Sequence, residues 1–174
     1  MSKTTNRAQN QTYFLAKKGY EKLGYERFIA YPISNIAFVL DSLHQFKMAN
    51  INYTEAIELH EKFENSFEVS ECSNAYALCL IKQGKYQESI AQSNLALNFA
   101  KKSDANLLIV QAYKNLSKAN ARLKNYSQAY QFSNLYTIGK DSLFADEKTK
   151  TVFELETKYQ TEKKEKLLLK QQAE

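Results

Sequence analysis

The 174-residue chain contains 4 Gly, 1 Pro, 2 Cys and no Trp. Glycine and proline are the residues that turns and sheet corners lean on; they make up about 3% of this chain, against roughly 12% on average, so sandwiches, barrels and doubly wound sheets are disfavoured. Hydrophobic residues at 44% and charged residues at 25% exclude wholesale disorder, and a net charge of +5 is too small and too scattered for a nucleic-acid arm. One nearly all-helical domain is the expectation.

In chain order, residues 1–10 are polar and expected to be disordered. Tyr13 to Phe28 carries helical patterning with a turn at Gly24-Tyr25, and Pro32 is expected to end any helix near Ala30. A capping helix or an eroded repeat over 1–34 follows. Beyond it, three segments share one signature: Tyr53-Thr-Glu-Ala56, Tyr86-Gln-Glu-Ser89 and Tyr126-Ser-Gln-Ala129. Each follows a polar stretch that reads as a turn. Apolar periodicity predicts helices at roughly 35–49, 70–83 and 105–122 before these turns, and at roughly 54–67, 87–101 and 127–139 after them. Thr54 and Ser127 read as caps, and Ser103-Asp104 opens the third leading helix. Three repeats are therefore expected at about 35–69, 70–103 and 104–143. Over 144–174 charge crowds in, with Val152, Leu155, Tyr159 and Leu169 at three- and four-residue steps. That pattern predicts a connecting helix, narrow-faced enough to begin a coiled coil and to self-associate weakly. Val152, Phe153 and Leu155 are expected to pack on the last repeat, and Leu167-Leu168-Leu169 to need a partner chain as cover.

Helix pairs at the spacing of these tyrosines, with Tyr-x-x-Ala opening the second helix, resemble tetratricopeptide repeats. The resemblance implies an all-α helical solenoid of antiparallel helix pairs, a protein- or peptide-binding role, and close helix packing at Ala56, Ser89 and Ala129. It also puts the small-residue site of the leading helix at Ala77 and Ser117, with His44 in the first unit. The ending, Asp141-Ser-Leu-Phe144 and then Phe153-Glu-Leu-Glu-Thr-Lys-Tyr-Gln-Thr-Glu-Lys-Lys-Glu165, is similar to the segment that joins such repeats to the output half of Bacteroidetes-type sensor histidine kinases and regulators. This implies a sensory or regulatory region of a bacterial signal-transduction protein whose parent can be membrane-associated. The alternative is a freestanding cytoplasmic adaptor without kinase output.

Little points to catalysis. His44 and His60 have no second histidine at metal-protease spacing, no Cys/His cluster has zinc spacing, and 4 glycines cannot build a phosphate loop. Cys72 and Cys79, about 10.5 Å apart along one helix, are too distant for a disulfide and read as core. No run approaches a membrane span and no signal-peptide core is present, so the segment reads as soluble, without membrane contact. No enzyme activity, cofactor, metal or nucleic-acid partner is expected. One constellation stands out: Gln111, Lys114, Asn115, Lys118 and Arg122 share a helix face. In the resembled family the leading helices line the concave groove, so this face suits an acidic peptide; a solvated helix face has the same spacing. Asp41, Gln45 and Ala75 stand where that family's carboxylate clamp wants Lys and Asn, which argues against a chaperone-tail receptor.

Overall fold

The computed structural model describes the backbone of residues 3–173 and the side chains of residues 11–145, 147–161, 163 and 164. Among the described residues there are seven helices and no strand: α1 (Lys3–Leu23), α2 (Glu26–Ser42), α3 (Phe46–Lys62), α4 (Ser66–Lys82), α5 (Tyr86–Lys102), α6 (Asn106–Arg122) and α7 (Tyr126–Ala173). Residues up to Tyr136 form one compact unit and those from Thr137 a second, with α7 running through the boundary.

The first unit is metrically regular. From α2 to α7 the helices open at Glu26, Phe46, Ser66, Tyr86, Asn106 and Tyr126, a constant step. Helices α2 to α6 are all 17 residues long, so three-residue turns complete each step. The turns are built alike. Their middle residue has positive φ: 70° at Gly24, 59° at His44, 57° at Glu64, 77° at Gly84, 51° at Asp104 and 64° at Lys124. The next residue donates its N–H five positions back, Gln45 to Leu40, Asn65 to His60, Lys85 to Leu80, Ala105 to Ala100 and Asn125 to Asn120, each at 2.9 Å. This is the Schellman ending, which satisfies the last helical carbonyls. No side chain caps the start of α2 to α6. Ser103, expected to open a helix, instead donates back to the Phe99 carbonyl at 3.0 Å.

Helix pairs therefore recur at twice that step, as α2/α3, α4/α5 and α6/α7, with α1 in the place of a following helix. Small residues set the spacing within each pair. Ala37, Ala77 and Ser117 hold equivalent positions on the leading helices, and Ala49, Ser89 and Ala129 on the following ones. All but the half-buried Ser117 are buried. The core gathers Ile33, Ile36, Leu40, Ile57, Val69 and Cys72 around Tyr53. Tyr53 is fully buried, edge-on to Phe38 (centroids 5.7 Å apart) and stacked on Tyr76 (5.3 Å). Polar ties then join neighbouring units. Lys82 pairs with Asp41 at 2.6 Å, Asn50 and Gln83 exchange amide hydrogen bonds at 2.9 and 3.1 Å, and Asn74 donates to the Leu108 carbonyl at 3.0 Å.

Several expectations need correction. The first unit lies earlier in the chain than its patterning suggests: α2 begins at Glu26 and α3 at Phe46, not near 35 and 54. Asn50 and Asn52 imitate a turn but lie inside α3, where Asn52 donates back to the Met48 carbonyl at 2.8 Å. Tyr53 and Thr54 are consequently mid-helix, and Phe46, not Tyr53, matches Tyr86 and Tyr126. Likewise Ala37, not His44, is the small residue of the first leading helix; His44 is an exposed turn residue. Helix α2 passes through the buried Pro32, forgoing the one N–H that position would donate. Residues 3–10 are helical. Helix α7 does not stop near 139, because Gly139 and Asp141-Ser142 are too weak a break. Val152, Phe153 and Leu155 are exposed. The Leu167-Leu168-Leu169 side chains lie outside the described residues.

Candidate peptide-binding groove

The leading helices α2, α4 and α6 present one shared face, and a groove of about 370 Å³ runs across it. Its residues fall into columns at the repeat step. Phe38, Leu78 and Lys118 form one column, Asn74 and Lys114 a second, Glu71 and Gln111 a third, and Ala75 and Asn115 a fourth. The first column begins apolar, with Phe38 36% and Leu78 38% exposed, and ends in an ammonium. Side chains of this kind on a surface give contact area to a ligand, since they already sit half out of the core.

The sequence-predicted residues divide three ways. Gln111, Lys114 and Lys118 are exposed and line the groove. Asn115 also borders it but is buried and committed, donating to the backbone carbonyl of Asn74 at 3.0 Å. Its amide therefore fixes α6 against α4 and is not free for a ligand. Arg122 is exposed one turn beyond Lys118 and does not line the groove. Lys114 is steered by an aromatic neighbour, its Nζ lying 5.6 Å from the Tyr136 ring centroid.

On the α4 wall stands Glu71. Partial desolvation in the groove raises its carboxyl above the ordinary range, and the nearby Glu68 adds to the rise. Phe38, Glu71, Asn74 and Leu78 carry no signal of this face in the sequence until the repeat register is known. Whole-repeat steps from Lys118 and Lys114 lead to Leu78, Phe38 and Asn74, whereas a first unit starting at 35 leads to Asp41 and Gln45.

The packing-signature residues lie away from this face. Ser89 and Ala129 are buried, Tyr86 is half-buried at the start of α5, and Tyr126 is exposed at the start of α7. Ala56 is buried in α3, two turns beyond the small position of that helix. The two thiols are buried. Burial pushes both thiols up, Cys72 and Cys79 each to about 12, so neither supplies a thiolate near neutral pH. Among the described residues no cluster of three His, Cys, Asp or Glu could hold a metal, and no helix is long and apolar enough to cross a membrane.

No protein-family model and no curated protein matches the sequence. Solved structures do match. BtubC (BKLC) from P. vanneervenii superposes with a TM-score of 0.69 at 18% identity, covering 77% of this chain and 56% of that one. The TPR domain of Arabidopsis FLU gives 0.54 at 17% identity over 79% of this chain and 98% of that domain. The apo form of RapI gives 0.56 at 15% identity over 82% and 64%. The chain thus spans about half the length of BtubC and somewhat under two thirds of RapI. The paired helices and these neighbours agree on one architecture: the chain is an all-α, tetratricopeptide-like helical solenoid, with a repeat longer than the usual unit of about 34 residues.

Proposed function

We propose that the chain is a non-catalytic scaffold that binds an acidic segment of a partner protein in the groove of α2, α4 and α6. One observation carries this reading: Lys114 and Lys118 stand exposed at one end of a groove whose apolar floor is Phe38 and Leu78. A peptide that lays an apolar side chain on that floor brings its carboxylates to the two ammonium groups, which select by charge and speed encounter. The ending from Asp141 to Tyr159 supports placing such a scaffold in the sensory or regulatory part of a bacterial signalling protein of histidine-kinase type. Binding at the repeats would then be relayed along α7.

The test uses a fluorescein-labelled peptide of four glutamates and one leucine, titrated at low salt. The wild type should raise its anisotropy in a saturable way, and added salt should weaken the effect. The double variant Lys114→Glu/Lys118→Glu should lose binding while its helical circular dichroism is unchanged. Equal binding by both proteins would leave this face as solvated surface.

A further inference from the structure

A second and larger opening, of about 660 Å³, lies among α1, α2 and α3 and shares no lining residue with the peptide groove. The buried Ile36 and Leu40 of α2 form its floor. Phe14 of α1 and Met48 of α3 stand at its sides, 50% and 51% exposed.

The internal repeat supplies a reference for this opening. One repeat on, Ile36 corresponds to Tyr76, Phe14 to Thr54 and Met48 to Glu88. The positive-φ turn residues fix the register, since Gly24 and Glu64, like His44 and Gly84, obey the same step. In that next repeat the equivalent place is filled. The Tyr76 ring stacks on Tyr53 with centroids 5.3 Å apart and planes 19° from parallel. Thr54 hydrogen-bonds its hydroxyl, and the charges of Glu88 and Lys85 act on it. In the first repeat three replacements remove the ring and two of its three polar neighbours, while Gln45 stands where Lys85 does one repeat later. Ile36 carries no ring, Phe14 offers no hydroxyl, and Met48 puts a thioether where a carboxylate stood.

We infer that this opening is a second docking site, which takes a phenylalanine side chain followed by a single carboxylate on a partner protein. The ring would occupy the place that the Tyr76 ring fills one repeat later, over Ile36 and between Phe14 and Met48, where thioether and aromatic contacts both favour it. Phenylalanine is preferred to tyrosine because Phe14 and Met48 stand where Thr54 and Glu88 act on the Tyr76 hydroxyl, so a phenol seated there loses two of its three polar neighbours. The carboxylate follows from charge. The Lys17 ammonium is already held by Glu55 at 2.9 Å. Lys18, with its Nζ 4.8 Å from the Phe14 ring centroid, forms no ion pair among the described residues. Glu21, also at the opening, repels a second acid.

The sequence has two methionines, so methyl-labelled methionine NMR reads Met48 directly. The probes are acetyl-Phe-Glu-amide, acetyl-Tyr-Glu-amide and acetyl-Ala-Glu-amide, titrated into the full chain to millimolar concentration. The Phe probe should move the Met48 methyl signal in a saturable way, the Tyr probe should bind about tenfold more weakly, and the Ala probe should have no effect. Ile36→Tyr, which copies the second repeat, should abolish the shift. Met48→Glu lies on the surface and keeps the test valid if Ile36→Tyr misfolds; followed through the Ile36 methyl group, it should weaken the Phe probe about tenfold. A silent Met48 signal, equal response to the Phe and Ala probes, or unchanged binding by both variants would overturn the assignment. So would a Met48 signal that moves with protein concentration alone, which would make a second copy of the chain the occupant. The Lys114→Glu/Lys118→Glu variant should bind the Phe probe normally, so the two sites fail or stand separately.

Discussion

Ser89 donates its hydroxyl hydrogen to the carbonyl of Ala77 at 2.9 Å across the α4/α5 pair. One repeat later the roles reverse, and Ser117 of α6 donates to the carbonyl of Ala129 in α7 at 3.0 Å. Either helix can supply the serine because both positions touch the partner backbone. In the first pair both are alanine, Ala37 and Ala49, and both are fully buried. No room remains there for a larger side chain. Ala129→Leu should therefore overpack the last pair and cost about 1–3 kcal/mol. Urea denaturation checks this, and an unchanged midpoint would show that α6 and α7 are less closely apposed.

The turns make an opposite prediction. Four of the six positive-φ turn residues are not glycine: His44, Glu64, Asp104 and Lys124. Each holds a Cβ in the left-handed region at a cost of roughly 1–2 kcal/mol. Glu64 and Lys124 are exposed and take part in no ion pair among the described residues. Glu64→Gly and Lys124→Gly should each stabilise the fold by about 0.5–1 kcal/mol, the relief exceeding the added entropy of the unfolded chain. Gly84→Ala should destabilise it by about 1 kcal/mol through the same term. A differential scanning series on the three variants decides the sign.

Those four turns also explain how far the sequence could be read. The helical class and the solenoid architecture were legible because apolar residues recur at helical spacing around small residues such as Ala77 and Ala129. The α4, α5 and α6 boundaries fell close to where the periodicity placed them. The first unit did not, since its true turn, Leu43-His44-Gln45, has no glycine, whereas Asn50 and Asn52 inside α3 look like one. Pro32 pointed the same wrong way. It stands inside α2 because tertiary packing of a buried ring outweighs one lost hydrogen bond. At the groove, Lys114 and Lys118 were visible as a charged face. Phe38 and Leu78 were not, because an apolar residue on a helix reads as core until the repeat register is known.

His60 gives a pH dependence with a definite sign. It is buried, with Nε2 3.2 Å from the Ser34 hydroxyl, which itself donates to the Ala30 carbonyl at 3.0 Å. Nε2 must therefore carry the proton and donate, and Nδ1 is buried without a partner. The Tyr31 ring closes the site edge-on at 5.1 Å. Burial pushes the imidazole below its ordinary 6.5, and Glu68 offsets only part of this. The unfolded chain thus binds a proton near pH 6.5 that the folded chain refuses, so stability falls as pH drops through that value. The urea midpoint should be lower at pH 5.5 than at pH 7.5, and His60→Phe should flatten the difference. An equal slope in the variant would assign the dependence to other groups.

The last prediction concerns α7 beyond Thr137. Val152, Leu155 and Tyr159 stand exposed at three- and four-residue steps, which aligns them along one edge of the helix. An apolar edge of that kind seeks a second helix, but this one is short. In the sequence the same three- and four-residue steps lead next to Glu162 and Lys166, and about two heptads fall below the three or four that hold a coiled coil. Upstream the same edge meets Lys148, so nothing extends it in that direction. The chain should therefore be monomeric at micromolar concentration and form a weak dimer only when concentrated. Light scattering over a concentration series should show this, and Leu155→Asp/Tyr159→Asp should remove the concentration dependence with little change in helical signal, because neither side chain is buried. Cutting the chain after Lys158 should also leave a monomer. A tight dimer that survives both changes would place the self-association on the repeats and not on this edge.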